Sequence, residues 1–247
     1  MKKHIIGYYI LAITGFIIIL GISIMDPILQ DEKYHAFSDS APLFGIPNFW
    51  NVISNLPFLL VSILGFSQLS FPKDQKRLYQ VLFLGIGLVG IGSCYYHWNP
   101  TSETLVWDRL PMTITFMTLF TIIIGEFISK IWSKRLFLPL LGLGLFSILY
   151  WKMSSTGDLR LYGMVQFYPM VAIPVILIYF KDQQAATSGY WYLLAAYILA
   201  KYCEHYDPQI HDYFTVISGH SLKHIFAAFG LYCLVHAYKK RKEWIYQ

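Results

Sequence analysis

Long apolar stretches recur along the whole chain and are separated by short polar connections. A stretch of about 20 apolar residues is long enough to cross the hydrocarbon core of a bilayer as a helix. The pattern therefore predicts an all-α protein, a polytopic transmembrane helix bundle with eight spans. These spans cover residues 5–25, 48–69, 78–97, 109–129, 136–151, 161–180, 189–204 and 219–238.

The composition agrees with a membrane location. Of the 247 residues, 56% are hydrophobic and 13% are charged, whereas soluble domains carry roughly 25% charged residues. The net charge of +5 is spread over helix ends and short loops, so it does not indicate a nucleic-acid partner. Cys94, Cys203 and Cys233 lie in or beside apolar stretches and form no CxxC pair, so they predict neither a disulfide framework nor a cysteine metal site.

The distribution of basic residues predicts an orientation, because cytoplasmic loops of membrane proteins are enriched in Lys and Arg. Basic residues concentrate near both ends of the chain and after the second and fourth predicted spans. They are Lys2, Lys3, Lys73, Lys76, Arg77, Lys130, Lys134, Arg135, Lys239, Lys240, Arg241 and Lys242. Both termini are therefore expected in the cytoplasm, with 239–247 as a basic cytoplasmic tail. The compact loops suggest a bacterial inner membrane.

Polar side chains within the predicted spans gather near the outer surface. Ser93 and His97 lie one turn apart near the outer end of the third span. Asp108 enters the fourth span from the same side, and His220 and His224 lie in the first two outer turns of the eighth span. Ionisable groups at membrane depth are costly and tend to face a bundle interior or a cavity. We therefore expect these residues to meet.

Three imidazoles with one carboxylate nearby are a ligand set suited to zinc, which takes three protein ligands in catalytic sites and keeps one position for water. His220 and His224 have the i, i+4 spacing that lets two rings reach one ion, and His97 would complete the set. Taken singly, each residue has a plainer explanation. An interfacial histidine is usually hydrogen-bonded, Ser93 suits helix packing, and Asp108 could cap its helix or pair with the next arginine.

Three further polar features are expected to play supporting parts. Asn48, Asn51 and Asn55 share one helical face and favour structural hydrogen bonding. The charged segment 201–212 favours a solvated loop, with a supporting shell or a lid over the site as the alternative. The segment 26–47 is too short to fold alone and is expected to cap the bundle.

At these residues the sequence resembles the alkaline ceramidases, which belong to a superfamily of seven-helix membrane hydrolases that includes the adiponectin and progestin receptor family. The matching pieces are NFWNVISNLPFLL (48–60), GIGSCYYH (90–97), WDRLPM (107–112), YGM (162–164) and GHSLKH (219–224). The resemblance implies one integral membrane domain over 1–247. Within it, an extra N-terminal span and loop (1–38) precede a seven-helix hydrolase core (39–238).

The resemblance also implies roles for single residues. It implies zinc ligands at His97, His220 and His224, an Asp108 that orients or deprotonates the water held by zinc, and a Ser93 that stabilises the oxyanion or binds the same water. The implied activity is zinc-dependent hydrolysis of a linear amide in a ceramide-like N-acyl lipid within the bilayer, which releases a fatty acid.

One part of the chain departs from the family pattern. Alkaline ceramidases carry an acidic calcium-binding segment, beginning Asp-Trp-x-Glu, just before the second span of this chain. Here that motif is missing, Asp39 is the nearest acidic candidate, and Asn48 stands where the family has a glutamate. This departure argues against Ca²⁺ and leaves the substrate headgroup open.

Three other functions stay open on the residues alone. A non-catalytic heptahelical lipid receptor or sensor could keep zinc for structure, and it would bind zinc without turning over a lipid amide. A haem or electron-transfer protein could use the histidine pair. A serine hydrolase could use Ser93 as nucleophile, although Ser93 and His97 share one helix.

Overall fold

The computed structural model describes residues 2–68, 71, 75–180 and 186–245. Most of these residues are helical, and none of them forms a β-strand. A short 3-10 helix covers Glu32–His35. The α-helices are α1 (Lys2–Ile24), α2 (Phe49–Ile53), α3 (Leu56–Gln68), α4 (Lys76–Trp98), α5 (Leu105–Phe127), α6 (Lys130–Met153), α7 (Arg160–Tyr179), α8 (Thr187–His205), α9 (Asp207–Phe214) and α10 (Gly219–Ile245). The predicted all-α fold class is confirmed.

Six helical segments of the described residues are long and apolar enough to cross a membrane. They are Lys3–Ile24, Phe49–Ser67, Lys76–Trp98, Leu105–Phe127, Lys130–Met153 and Arg160–Tyr179. The seventh and eighth predicted spans are helical as α8 and α10 but are not among these six. Polar residues such as Glu204 in α8 and His220 in α10 lower the hydropathy of these two helices. The finding is consistent with a multi-pass membrane protein, while the count of eight spans and the orientation stay predictions.

The second predicted span corresponds to the apolar segment Phe49–Ser67, but its helix is interrupted between α2 and α3 at Ser54 and Asn55. Two predicted boundaries were wrong. The eighth span was predicted to end at 238, but α10 continues to Ile245, so most of the predicted tail is helical. The fifth begins at Lys130 rather than at 136, because the Ser129 side chain caps the helix by accepting a hydrogen bond from the backbone N–H of Trp132. Lys73 and the side chains of Lys2 and Lys242 lie outside the described residues.

The helices form two compact units. The first comprises Met1–Gln30, Phe71–Leu82 and Thr113–Ala185, and the second comprises Asp31–Ser70, Phe83–Met112 and Ala186–Gln247. Each unit is discontinuous in sequence, because α4 and α5 contribute residues to both. The prediction of a single membrane domain over 1–247 stays a prediction.

In the first unit, α1 packs against α7. Gly7 allows the close approach, because a Cβ atom there would come within 2.6 Å of the Phe180 ring. In the apolar 18-residue stretch of α1 only 6% is buried, whereas 72% is buried in the corresponding stretch of α5. Most of the α1 surface is therefore exposed.

In the second unit, α10 packs along α8 and also contacts α3. Small residues allow the backbones of α8 and α10 to approach, as is common where membrane helices associate. A Cβ atom at Gly230 would lie 2.7 Å from the Cβ of Ala196. This packing holds the first turns of α10, where GHSLKH stands, within the second unit.

Candidate metal centre

Three buried histidines from two helices form a compact cluster in the second unit. His97 lies at the end of α4, and His220 and His224 lie in the first two turns of α10. The ring centroids are 4.9 Å apart for His97 and His220, 4.9 Å for His97 and His224, and 5.0 Å for His220 and His224. One nitrogen of each ring lies within 4.8 Å of the others. Each residue is at most 5% exposed.

The chemistry of this donor set fits a metal ion, since imidazole nitrogen suits zinc and several transition metals. Nδ1 of His97 is buried and finds no hydrogen-bond partner among the described residues. A buried polar atom without a partner is costly, and a bound cation could remove that cost. Nδ1 of His224 lies 2.8 Å from Oγ of Ser54, so Nε2 is the nitrogen of that ring that remains available to a metal ion. Within the part of the chain that is described, no other group of three His, Cys, Asp or Glu side chains converges in this way.

A lysine brings positive charge to the cluster. Nζ of Lys223 lies 3.0 Å from Nε2 of His220 and 3.0 Å from a carboxylate oxygen of Glu204. Glu204 also pairs with Lys201 at 2.5 Å. The sequence favoured a solvated loop over 201–212, but the segment is helical, as the end of α8 and as α9. The Glu204 side chain is 19% exposed and pairs with both lysines. A metal ion bound to Nε2 of His220 would replace the ammonium group of Lys223 as the partner of that nitrogen.

Ser93 and Asp108 lie together where α4 and α5 meet. Ser93 is 2% exposed and stands one turn before His97, and its hydroxyl hydrogen-bonds to the partly buried carboxylate of Asp108. Gly92 makes this approach possible, because a Cβ atom there would overlap the backbone carbonyl oxygen of Trp107. The two helices are thus close enough for a serine hydroxyl and a carboxylate to act together.

The connection between α1 and α2 contacts the cluster through residues 32–39, which we call the cover segment. The ring of Phe37 lies 4.7 Å from the rings of both His97 and His220, centroid to centroid. Asp39, the acidic candidate for calcium, is 3% exposed, and its carboxylate accepts a hydrogen bond from the backbone N–H of Ala41. The loop expected to cap the bundle therefore places an aromatic ring directly on two of the histidines.

His35 fastens the cover segment to the C-terminal end of α4 and the following loop. Its Nδ1 lies 2.8 Å from the hydroxyl oxygen of Tyr96, and its Nε2 lies 3.1 Å from Oγ of Ser102. Burial lowers the pKa of the His35 imidazole below its ordinary value. The neutral ring is therefore favoured in the folded protein.

Two further contacts hold the cover segment. One carboxylate oxygen of Asp207 accepts from the backbone N–H of Ser38 at 3.2 Å, and the other accepts from the backbone N–H of His220 at 2.6 Å. The guanidinium carbon of Arg109 lies 5.3 Å from the ring centroid of Tyr34, and burial raises the pKa of that tyrosine. Asp207 thus ties the cover segment to the first turn of α10.

The asparagine stripe forms the structural hydrogen bonds that the sequence favours for it. Nδ2 of Asn48 donates to the backbone carbonyl of His97 at 2.9 Å. Oδ1 of Asn51 accepts from Oγ of Ser221 in α10 at 2.8 Å, and Nδ2 of Asn55 donates to the backbone carbonyl of Asn51 at 2.7 Å. These side chains connect α2 to the two helices that carry the histidines.

The sequence motifs do not reveal every contact of the cluster. The contact of Phe37 with the histidines could not be predicted, because a short connection between helices has no hydrophobic periodicity that would place its side chains. Lys223 stands three residues after His220, a spacing at which helical side chains are neighbours, so their contact could have been anticipated. Ser54 lies inside NVISN, but its hydroxyl reaches His224 from the interruption between α2 and α3, which the apolar pattern does not show.

The fold and the cluster together define a class, the polytopic helical membrane proteins with a buried three-histidine candidate metal site. A family model described as Ceramidase matches residues 44–242. This match covers most of the chain, and the protein belongs to the ceramidase family, which confirms the resemblance. The matched region contains the three histidines, Ser93 and Asp108, whereas α1 and the cover segment precede it. No curated protein matches the chain.

Proposed function

We propose that this protein is a zinc-dependent hydrolase that cleaves the amide bond of a ceramide-like N-acyl lipid within the membrane. Family membership supports hydrolysis of a lipid amide. The observation that carries the metal is the buried cluster of three imidazoles. In the reaction, the amide and one water molecule give a free fatty acid and a free amine.

His97, His220 and His224 would hold the metal ion. A zinc ion bound there would supply Lewis-acid chemistry, lowering the pKa of a water molecule to about 7 and polarising a carbonyl group. The imidazoles must be neutral to act as ligands, and their burial favours the neutral form. Phe37 lies against two of the rings and would limit the access of further water.

Asp108 is proposed to move the proton. Its carboxylate oxygen would accept a proton from the water that attacks the amide carbon and would deliver it to the departing nitrogen. An amine is a poor leaving group unless its nitrogen is protonated, so amide hydrolysis needs such an acid. The position of Asp108 beside Ser93 supports this role.

Ser93 is proposed to stabilise the developing oxyanion with its hydroxyl hydrogen. In the structure that hydrogen is available to the Asp108 carboxylate. Once Asp108 has taken up a proton, the carboxyl group is a weaker acceptor, and the Ser93 hydroxyl can turn to the oxygen of the former carbonyl. Removing one such donor in other enzymes lowers kcat by about 100- to 1,000-fold.

The proposed setting is a bacterial inner membrane, with both termini in the cytoplasm and the site toward the outer face. The positive-inside distribution of Lys and Arg supports this orientation. The acyl chain of the substrate would lie among the helices, with its polar head toward the outer surface.

The metal content of the detergent-purified protein tests the proposal. We expect about one zinc ion per chain in the wild type and its loss in His97→Ala, His220→Ala and His224→Ala. His236→Ala is the matched control, because His236 is an exposed histidine on the same helix, α10. Absence of zinc from the wild type, or its retention in all three site variants, would contradict the zinc centre.

Release of fatty acid from a panel of N-acyl lipids tests the chemistry. The zinc-loaded wild type should release fatty acid, Ser93→Ala should lose about 100-fold or more in kcat, and Asp108→Asn about 100- to 10,000-fold. Both variants should keep their zinc, since neither residue is a proposed ligand. Zinc binding without turnover of any lipid amide would instead favour a receptor or sensor with a structural zinc.

A further inference from the structure

Ser54 lies in a short interruption between two helices and touches one of the proposed ligands. α2 ends at Ile53 and α3 begins at Leu56. Oγ of Ser54 lies 2.8 Å from Nδ1 of His224, and Ser54 is 5% exposed. This hydroxyl is thus within hydrogen-bond distance of a histidine in the proposed metal site.

The interruption gives the Ser54 hydroxyl an acceptor for its proton. In a continuous helix, the backbone carbonyl of Asn51 would accept from the backbone N–H of Asn55. Here the N–H of Asn55 donates to the carbonyl of Val52 at 3.2 Å. The carbonyl of Asn51 instead accepts from Oγ of Ser54 at 3.3 Å and from Nδ2 of Asn55 at 2.7 Å.

The direction of the Ser54 hydrogen bonds bears on the tautomer of His224. A serine hydroxyl has one proton to donate and lone pairs with which to accept. If Ser54 donates its proton to the carbonyl of Asn51, its oxygen must accept at His224, so Nδ1 of that ring carries the hydrogen. Nε2 then has the lone pair that a metal ion requires, and the ring orientation is set by its other nitrogen.

We propose that Ser54 is a positioning residue that holds His224 in the Nδ1-protonated tautomer and turns its Nε2 toward the metal. This inference rests on the proposed function, because it assumes a metal ion at the three histidines. The opposite arrangement, in which Ser54 donates to Nδ1, would place a hydrogen on Nε2 and prevent that nitrogen from binding a metal.

Zinc affinity, measured by competition with a chelator, tests the role. Ser54→Ala should bind zinc about 10- to 100-fold more weakly than the wild type, as is typical when a partner of a ligating histidine is lost. Ser54→Thr keeps the hydroxyl and should restore most of the affinity. Ser62→Ala is the matched control, because Ser62 is 8% exposed and its hydroxyl donates to the backbone carbonyl of Phe83 at 2.7 Å.

A spectroscopic readout separates positioning from general stability. With Co²⁺ in place of zinc, the visible absorption of Ser54→Ala should differ from that of the wild type, whereas Ser62→Ala should match the wild type. Equal zinc affinity and an equal Co²⁺ spectrum in Ser54→Ala would overturn the Ser54 role alone. So would an equal loss of affinity in Ser62→Ala. A wild type that binds no zinc would overturn the proposed function itself and the Ser54 role with it.

A measurement on the wild type covers the case in which Ser54→Ala does not fold. In zinc-loaded protein labelled with ¹⁵N-histidine, the His224 signals can be assigned by their loss in His224→Ala. The chemical shifts should show a hydrogen on Nδ1 and a coordinated Nε2. A coordinated Nδ1 with a hydrogen on Nε2 would overturn the inference.

Discussion

The ring of Phe37 lies 4.7 Å from the ring of His97, although Phe37 belongs to a connection between helices and His97 to the end of α4. The same phenylalanine contacts His220 at the same centroid distance. We expect an apolar ring in this position to restrict the path by which water, chelators or substrate reach the imidazoles. The cover segment is therefore part of the site even though it precedes the region that matches the family.

We predict that Phe37→Ala makes the centre more accessible. Zinc should pass from Phe37→Ala to an external chelator several-fold faster than it does from the wild type, because the ring that packs on two of the proposed ligands is gone. Stopped-flow measurement with a chromogenic chelator gives this rate. Phe44→Ala is the control, since Phe44 is 86% exposed and its loss should leave the rate unchanged. Equal rates for Phe37→Ala and the wild type would show that the ring does not restrict access.

The attachment of the cover segment should weaken at acidic pH. Burial lowers the folded-state pKa of His35, so the unfolded or detached state binds a proton more readily than the attached state. The contribution of His35 is thus fully present above its unfolded pKa, about 6.5, and is lost as the pH falls below that value toward the folded pKa. The nearby Glu32, 3.7 Å away, partly opposes this effect.

A spin label on the exposed Ala36 can report the attachment. In a variant without the native cysteines, Ala36→Cys carrying a nitroxide should become more mobile between pH 7.5 and pH 5.5, a window chosen about one unit to either side of 6.5. Adding His35→Gln should raise mobility at both pH values and remove most of the pH dependence. A pH response that persists unchanged in His35→Gln would assign the effect to another group.

Gly92 is predicted to tolerate no side chain. A methyl group there would overlap the backbone of Trp107, so Gly92→Ala must push α4 and α5 apart and separate Ser93 from Asp108. Overpacking of this kind typically costs about 1–3 kcal/mol. Thermal unfolding in detergent measures the loss.

Gly142→Ala provides the matched control. Gly142 is also inside a helix, α6, but a Cβ atom there would meet nothing within 4 Å. Its replacement should leave stability nearly unchanged. Equal behaviour of the two alanine variants would contradict the close approach at Gly92.

Arg160 and Asp158 are predicted to hold the end of α1 in the first unit. The Arg160 guanidinium donates to the backbone carbonyls of Ile22 and Met25 and pairs with Asp158 at 2.9 Å. Asp158 in turn accepts from the backbone N–H of Ile28 at 3.4 Å. Replacing either charged residue leaves the other without its ion-pair partner, and Asp158 is only 1% exposed, so each single substitution should lower the unfolding temperature.

A double-mutant cycle measures this coupling. Arg160→Gln and Asp158→Asn together should cost clearly less than the sum of the two single substitutions. Lys152→Gln, which removes an exposed lysine near the end of α6, should have little effect. Additive losses in the double variant would show that the two residues act independently.

The helices and the local groups of site residues were predictable from the sequence for a simple reason. An apolar stretch of sufficient length forms a helix in a bilayer because its backbone must satisfy its own hydrogen bonds. Once a helix is assigned, its period places His220 beside His224 and Ser93 beside His97. Outer positions on different helices then suggested that these groups meet, and the structure brings the three histidines together.

Other features depend on packing between residues that are distant in sequence. The interruption at Ser54 leaves an apolar stretch unchanged in composition, so hydropathy alone shows one continuous span. Glu204 pairs with Lys223 because α8 packs against α10, which leaves the Glu204 side chain only 19% exposed. The cover segment has no periodic pattern, and its course over the histidines depends on His35 and Asp207.

The sequence by itself thus determined the class of fold, the approximate spans, and which polar residues share a turn of one helix, because backbone geometry and hydropathy are local. Tertiary structure alone decided that Phe37 covers the histidines, that Ser54 contacts His224 and that Lys223 of α10 pairs with Glu204 of α8. Each of these contacts joins segments whose relative position follows from packing rather than from the residues next to them in the chain.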